Sequence, residues 1–152
     1  MTRLMPLSKG CQYALRTVAY LAGRPAGLVF TTGQLSRQTE IPASFLSKIL
    51  QVLTHSGILN SHRGNVRGYS LSRPPGQISA RDIIQACDGP LGHEACLLDE
   101  HRLCPGERIC PAHRQRMTLQ KRLNQCLGGI LATDLSKVLP ERAGNGRKNE
   151  PS

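Results

Sequence analysis

Aromatic residues are scarce, five in 152 or 3% of the chain. That leaves little material for the apolar, aromatic-lined pocket of a small-molecule enzyme. No nucleophile motif with an orienting base is present either, which argues against an enzyme. No run approaches the roughly 20 apolar residues of a membrane span. Met1 to Gly10 is a mixed stretch with Pro6 and lacks the apolar run of a secretory signal. These absences predict a cytoplasmic protein without membrane contact, in a compartment where thiols stay reduced. Its six cysteines then read as metal ligands or redox groups rather than as a disulfide frame.

Acidic residues are nearly missing from the first half. Residues 1–73 hold nine Lys and Arg against one acid, Glu40, a net +8 of the chain's +10. Residues 74–111 are net −3 and residues 112–139 net +4. An N-terminal block this basic favours a polyanionic partner, of which nucleic acid is the commonest. A solubilising surface is the alternative. All five aromatics (Tyr13, Tyr20, Phe30, Phe45 and Tyr69) lie in the same block, which should therefore hold the main core.

Leu15, Val18, Ala19 and Ala22 fall at i, i+3, i+4 and i+7, predicting a helix over residues 9–23 ended by Gly23 and Pro25. Thr31 or Thr32 caps a short second helix to about Thr39. Pro42 opens a third helix to about His55. Its apolar face is Phe45, Leu46, Ile49, Leu50 and Leu53, with Ser44, Ser47, Lys48 and Gln51 opposite. Two β-prone pieces, 58–61 and 69–71, flank a glycine-bearing hairpin tip, His62-Arg63-Gly64-Asn65-Val66-Arg67-Gly68. Ser79 with Asp82 starts a helix to about Cys87. Residues 90–111 have no periodicity. A long amphipathic helix then runs from Pro111 to about Leu131, with Leu119, Leu123, Cys126, Leu127 and Ile130 on one stripe. Asp134 to Leu139 adds a short helix, and the polar tail reads as disordered.

Helix, short helix, tight turn, helix and hairpin is the order of a winged helix–turn–helix. The expected fold class is mainly α: that motif, with a two-stranded β-hairpin wing, plus a long C-terminal dimerisation helix. The chain divides into a DNA-binding domain over 1–75, a short helix and cysteine loop over 76–111, the dimerisation and terminal helices over 112–139, and a tail over 140–152. In this motif Ser44, Ser47, Lys48 and Gln51 are candidates to read base edges in the major groove. Arg63 and Arg67 on the hairpin tip suit a narrow, A·T-rich minor groove. A long helix with an apolar stripe needs a partner surface. A homodimer would present two reading helices to a pseudo-palindromic operator in double-stranded DNA. A three-helix core with a solvated basic face is the alternative.

Cys96, Cys104 and Cys110 are separated by seven and five residues, and His113 follows closely. Three thiols and an imidazole can converge if the loop folds around one centre, and Pro105 and Gly106 permit the turns. Thiolates bind both iron–sulfur clusters and zinc. The donor set leaves open a cluster, a Cys3His zinc site and a thiol switch. Cys87 and Cys126 fall on apolar helix faces and are expected to be buried thiols. His93 and His101 flank the loop as solvated residues, while His55 and His62 lie near the expected DNA surface.

The stretch Ser61–Pro75, followed by Ile78-Ser79 and Asp82-Ile83-Ile84, resembles the wing and following helix of bacterial winged-helix regulators of the IscR, NsrR and RirA types. Leu7-Ser8-Lys9-Gly10 with Tyr13-Ala14-Leu15-Arg16 is similar to their first helix, and Ile41-Pro42 with Phe45-Leu46 to the start of their reading helix. The resemblance covers residues 5–139. One departure is Val66-Arg67, where the family commonly has more glycine. The resemblance implies a transcriptional regulator whose DNA affinity follows the state of a [2Fe–2S] or [4Fe–4S] cluster on Cys96, Cys104 and Cys110. It implies His113 as fourth ligand, as in IscR-type members, whereas the seven-residue first gap is closer to RirA-type and some NsrR-type members. NsrR-type members can use an acid from the partner's first helix, a position that here matches Gln12, beside Cys11. A zinc-stabilised or thiol-switched DNA-binding factor without a cluster is the rival reading.

Overall fold

The protein is represented by a computed structural model that describes residues 7–91, 95–96, 99–103 and 111–139, with backbone alone for 95–96 and 99–103. Six α-helices and four short strands are described. Helix α1 spans Lys9–Ala22, and its N-cap Ser8 accepts the Cys11 N–H at 3.0 Å. Helix α2 spans Thr32–Thr39 and opens with a reciprocal capping box. The Thr31 hydroxyl accepts the Gln34 N–H at 3.2 Å, and the Gln34 carboxamide accepts the Thr31 N–H at 2.9 Å. Glu40 then turns the chain through a left-handed conformation, φ 55°, which costs a non-glycine residue roughly 1–2 kcal/mol. The turn is held by Ile41, which is buried and whose carbonyl accepts from the Ser36 hydroxyl at 2.7 Å.

Helix α3 spans Ala43–His55 and turns Leu46, Ile49, Leu50 and Leu53 into the core. Strands β1 (Leu59–His62) and β2 (Gly68–Leu71) pair antiparallel, Leu59 opposite Leu71 and His62 opposite Gly68. Phe30 and Tyr69 exchange backbone hydrogen bonds of 3.0 and 2.8 Å, which fastens the hairpin to the chain before α2. Gly68 permits that approach, because a Cβ there would lie 2.4 Å from the Phe30 carbonyl oxygen. The order α1, α2, α3, β1, β2 is a winged helix–turn–helix in a mainly helical chain, as the sequence predicts.

A 3₁₀ turn over Pro75–Gln77 leads to α4, Ala80–Asp88, capped by the box between Ser79 and Asp82. Strands β3 (Ala95–Cys96) and β4 (Asp99–Leu103) form a second, bulged hairpin where the sequence shows no periodicity. β3 is only two residues and β4 is largely polar, so a period-2 apolar signal has no room to develop. Helix α5 spans Pro111–Gly129 and α6 spans Ala132–Val138.

The C-terminal elements return to the N-terminal unit. The Ala80 N–H donates to the Ile130 carbonyl and the Ala132 N–H to the Ile78 carbonyl, each at 2.8 Å. Ala132 is buried in the same core as Leu50 and Ile78, and α6 packs on α1. Leu127 of α5 is buried against Ile84 and Cys11, with Leu123 partly buried beside it. The expected apolar stripe of α5 is therefore divided. Leu123 and Leu127 seat on α4, while Leu119 is 65% exposed and Ile130 is also exposed. Cys126 is exposed, against the expectation of a buried thiol. It lies beside Leu127 on the helix but turned by about 100°, away from α4.

Candidate nucleic-acid interface and cysteine loop

The candidate reading residues share the outer side of α3. Ser44, Lys48 and Gln51 are exposed. Ser47 is half-buried and its hydroxyl donates to the Ala43 carbonyl at 2.9 Å, so it meets any further partner as an acceptor. Arg63 and Arg67 are exposed on the hairpin tip, with Val66 between them. His55 is exposed at the end of α3. His62 is half-buried on β1, where its Nε2 hydrogen-bonds the Ser70 hydroxyl at 2.8 Å. Helix and tip thus present Lys48, Arg63 and Arg67 from a unit whose single acid is Glu40.

Phe45 departs from expectation. The sequence places it on the apolar face of the third helix, yet it is 55% exposed. Leu46, Ile49, Leu50 and Leu53 already complete the inward stripe, and Phe45 lies about 100° round from Leu46. Its ring is held edge-on by Tyr13 of α1, with centroids 6.5 Å apart. The apolar pattern thus conceals an exposed aromatic ring beside Ser44 and Lys48. The completed i, i+3, i+4, i+7 set without it was the signal that could have found it.

The second candidate site is only bracketed. Cys96 lies on β3, and Leu103, the residue before Cys104, pairs with Ala95, the residue before Cys96. Cys104 and Cys110 themselves lie outside the described residues, as do His93 and the tail 140–152. His101 lies on β4. His113 is half-buried in the first turn of α5. The Gln120 and Asn124 carboxamides of α5 both donate to the Leu91 carbonyl. One end of the loop is thereby tied to the helix that begins at its other end. Among the described residues no three metal-ligating side chains converge. The donor set itself, three thiols and an imidazole on a loop with both ends anchored to α5, fits an iron–sulfur cluster or zinc.

Cys11, the alternative fourth ligand, has no exposed surface and packs into its own chain's α1–α4 junction beside Cys87. In that packing it is closed to a partner subunit. The Cys11 and Cys87 thiols interact. That contact, with burial, raises Cys11 and holds Cys87 below the usual thiol value, although burial and Asp88 oppose the fall at Cys87.

A family model described as Rrf2, iron-dependent transcriptional regulator, matches residues 7–137. An HTH-type transcriptional regulator of Mycobacterium tuberculosis is 39% identical over 87 residues, 57% of this chain and 54% of that protein. The match thus spans about half the length of the mycobacterial protein. An HTH-type transcriptional regulator of Aquifex aeolicus is 29% identical over 135 residues, covering 88% of this chain and 93% of the relative. Among solved structures, CymR, the global cysteine regulator of B. subtilis, aligns with a TM-score of 0.72 at 21% identity, covering 90% of this chain and 99% of CymR. IscR of T. potens aligns with a TM-score of 0.67 at 19% identity, covering 88% of each chain. At these identities the two structures speak for the fold. Among the described residues, no helix is long and apolar enough to cross a membrane.

Proposed function

Given that this chain belongs to the Rrf2 family of transcriptional regulators, we propose that it binds a pseudo-palindromic operator as a homodimer and carries an iron–sulfur cluster in its cysteine loop. Regulators of this family bind DNA, and the chain is not an enzyme. The observation that carries the operator reading is the shared exposure of Lys48 and Gln51 on α3 and of Arg63 and Arg67 on the wing. A helix in the major groove reads bases through its outer residues, and a wing reaches the adjacent minor groove. Phe45 offers an apolar edge to a thymine methyl. Met117 and Leu119 on α5, with Ile130 just after its end, leave an apolar surface that a second copy would cover.

Cys96, Cys104 and Cys110 would hold the cluster, with His113 as the fourth ligand. When bound, a [2Fe–2S] or [4Fe–4S] cluster supplies a redox-active centre that oxidants and nitric oxide can alter. The chain's own part is transmission. Gln120 and Asn124 couple the loop's start to α5. Leu127 couples α5 to α4, and the Ser79–Leu131 bridge joins the segment after α5 to the N-cap of α4. A loop held or released thus biases how two reading units sit relative to each other.

The test is one anaerobic preparation. Visible absorbance with matching iron and sulfide, lost together with operator affinity on oxidation, supports the reading. A colourless zinc protein that binds DNA unchanged refutes the cluster and leaves the operator reading standing.

A further inference from the structure

Two thiols meet away from the cysteine loop, where the N-terminus of α1 abuts the C-terminus of α4. Cys11 is wholly buried among Ala80, Ile84 and Leu127, and Cys87 is half-buried against the same cluster. Beside them Asp88 accepts two hydrogen bonds from Ser8, the N-cap of α1. One comes from the backbone N–H at 2.8 Å and the other from the hydroxyl. The helices are therefore clamped next to the two cysteines. A structural cysteine that only fills space needs no second thiol and no opening to solvent. Here one cysteine is enclosed, its partner is half-buried, and the pair lies where α1 of the N-terminal unit meets α4.

We propose that Cys11 and Cys87 form a peroxide-reactive dithiol, a modification site separate from Cys96, Cys104 and Cys110 and independent of any cluster there. Contact with the Cys11 thiol favours the Cys87 thiolate, below the ordinary value of 9.0. Burial and the Asp88 charge pull the other way. The sulfur of half-buried Cys87, as thiolate, attacks one oxygen of hydrogen peroxide. An S–O bond forms, the O–O bond breaks, and the second oxygen leaves as hydroxide. Cys87 becomes a sulfenic acid, oxidised by two electrons, and the peroxide is reduced by two. The Cys11 sulfur then attacks Cys87. The S–S bond forms, the S–O bond breaks, and the departing hydroxyl takes the Cys11 proton as water. The product ties α1 to α4 one residue before Asp88, where the chain leaves for the cysteine loop. Oxidation would thus lock the reading unit to the base of that loop.

The full-length protein, prepared without oxygen, is treated with hydrogen peroxide, capped with iodoacetamide and mapped by mass spectrometry without reduction. The expected product is a peptide pair joined through Cys11 and Cys87, separated again by dithiothreitol, with a rise in melting temperature on oxidation. In Cys11→Ala, dimedone should capture Cys87 as its sulfenic acid, and no rise should follow. Cys87→Ser should leave Cys11 unmodified at the same peroxide dose. Recovery of both thiols capped after unfolding the treated wild type, with oxidation confined to other cysteines, overturns the proposal. So does a Cys87 joined to any thiol other than Cys11.

Discussion

Tyr13 meets Phe45 edge to face, with ring centroids 6.5 Å apart and planes at 71°. The contact joins α1 to the solvent side of α3. Lys9 and Arg16 approach the Tyr13 ring to 5.7 and 5.9 Å. A half-open ring held in one pose by a buttressed neighbour contacts a ligand without first losing rotamer freedom.

Phe45→Ala should lose about 0.5–1.5 kcal/mol of stability for the aromatic pair. It should lose roughly 1–3 kcal/mol of operator affinity if the ring reads a thymine methyl. Denaturant melts and fluorescence anisotropy measure the two. Replacing operator thymines by uracil, which lacks that methyl, should weaken the wild type and leave the variant unaffected. Equal uracil sensitivity in both proteins would exclude a thymine contact.

Gly68→Ala should destabilise by at least roughly 1–3 kcal/mol, the cost of strained backbone. The added Cβ would also collide with the Phe30 carbonyl. Because the Phe30–Tyr69 bridge fastens the wing, operator binding should fall even where the protein remains folded. Thermal melts and anisotropy at a temperature below both transitions would separate the two effects.

Arg63→Ala should reduce operator affinity by roughly 1–3 kcal/mol and relax any A·T preference at the flanking positions. Wild-type affinity should fall on the order of 10³–10⁵-fold between about 50 and 200 mM salt if roughly 6–10 phosphates are neutralised per dimer. A titration of log K against log salt checks this, and a near-flat line would count against direct DNA binding.

Burial pushes the Asp82 carboxyl up. The hydrogen bonds from Ser79 and the charges of Arg73 and Arg81 outweigh that, leaving it below its ordinary 3.8. A depressed carboxylate stabilises the fold above its unfolded value and loses that contribution as pH falls through its folded value. Asp82→Asn should therefore lower stability at neutral pH and flatten the decline seen below about pH 4. Urea midpoints measured from pH 3 to 7 give the comparison.

His113→Ala should leave a cluster that assembles yet shifts in spectrum and potential, because an imidazole ligand raises potential relative to thiolate. Cys96→Ala, Cys104→Ala and Cys110→Ala should each abolish visible absorbance. Full iron and sulfide in any one of these three would remove that cysteine from the ligand set.

Much of the architecture was legible because its signals are local. The box between Ser79 and Asp82, the caps at Thr31 and Gly23, and the glycines of the wing act within a few residues, and each marks an element boundary close to where it lies. The β3–β4 hairpin was not legible. Two- and five-residue strands of mostly polar sequence carry too few side chains to show a period. The candidate cysteine ligands were legible as a donor set, since residue type and spacing are sequence properties.

By itself the sequence determined the winged helix–turn–helix order and the basic N-terminal unit, through periodicity, capping chemistry and charge, and the resemblance of its wing and first-helix motifs pointed to the family. Tertiary structure alone decided which side of each stripe is covered. Phe45 and Cys126 adjoin buried residues on their helices, yet both are exposed, Phe45 meeting Tyr13 only edge to face. Ala132 enters the core because the segment after α5 pairs with Ile78, more than fifty residues earlier. Cys11 and Cys87 meet only because α1 lies against α4. A periodic pattern shows which residues can be buried together on one element, but the surface that buries them is supplied by residues distant in the chain.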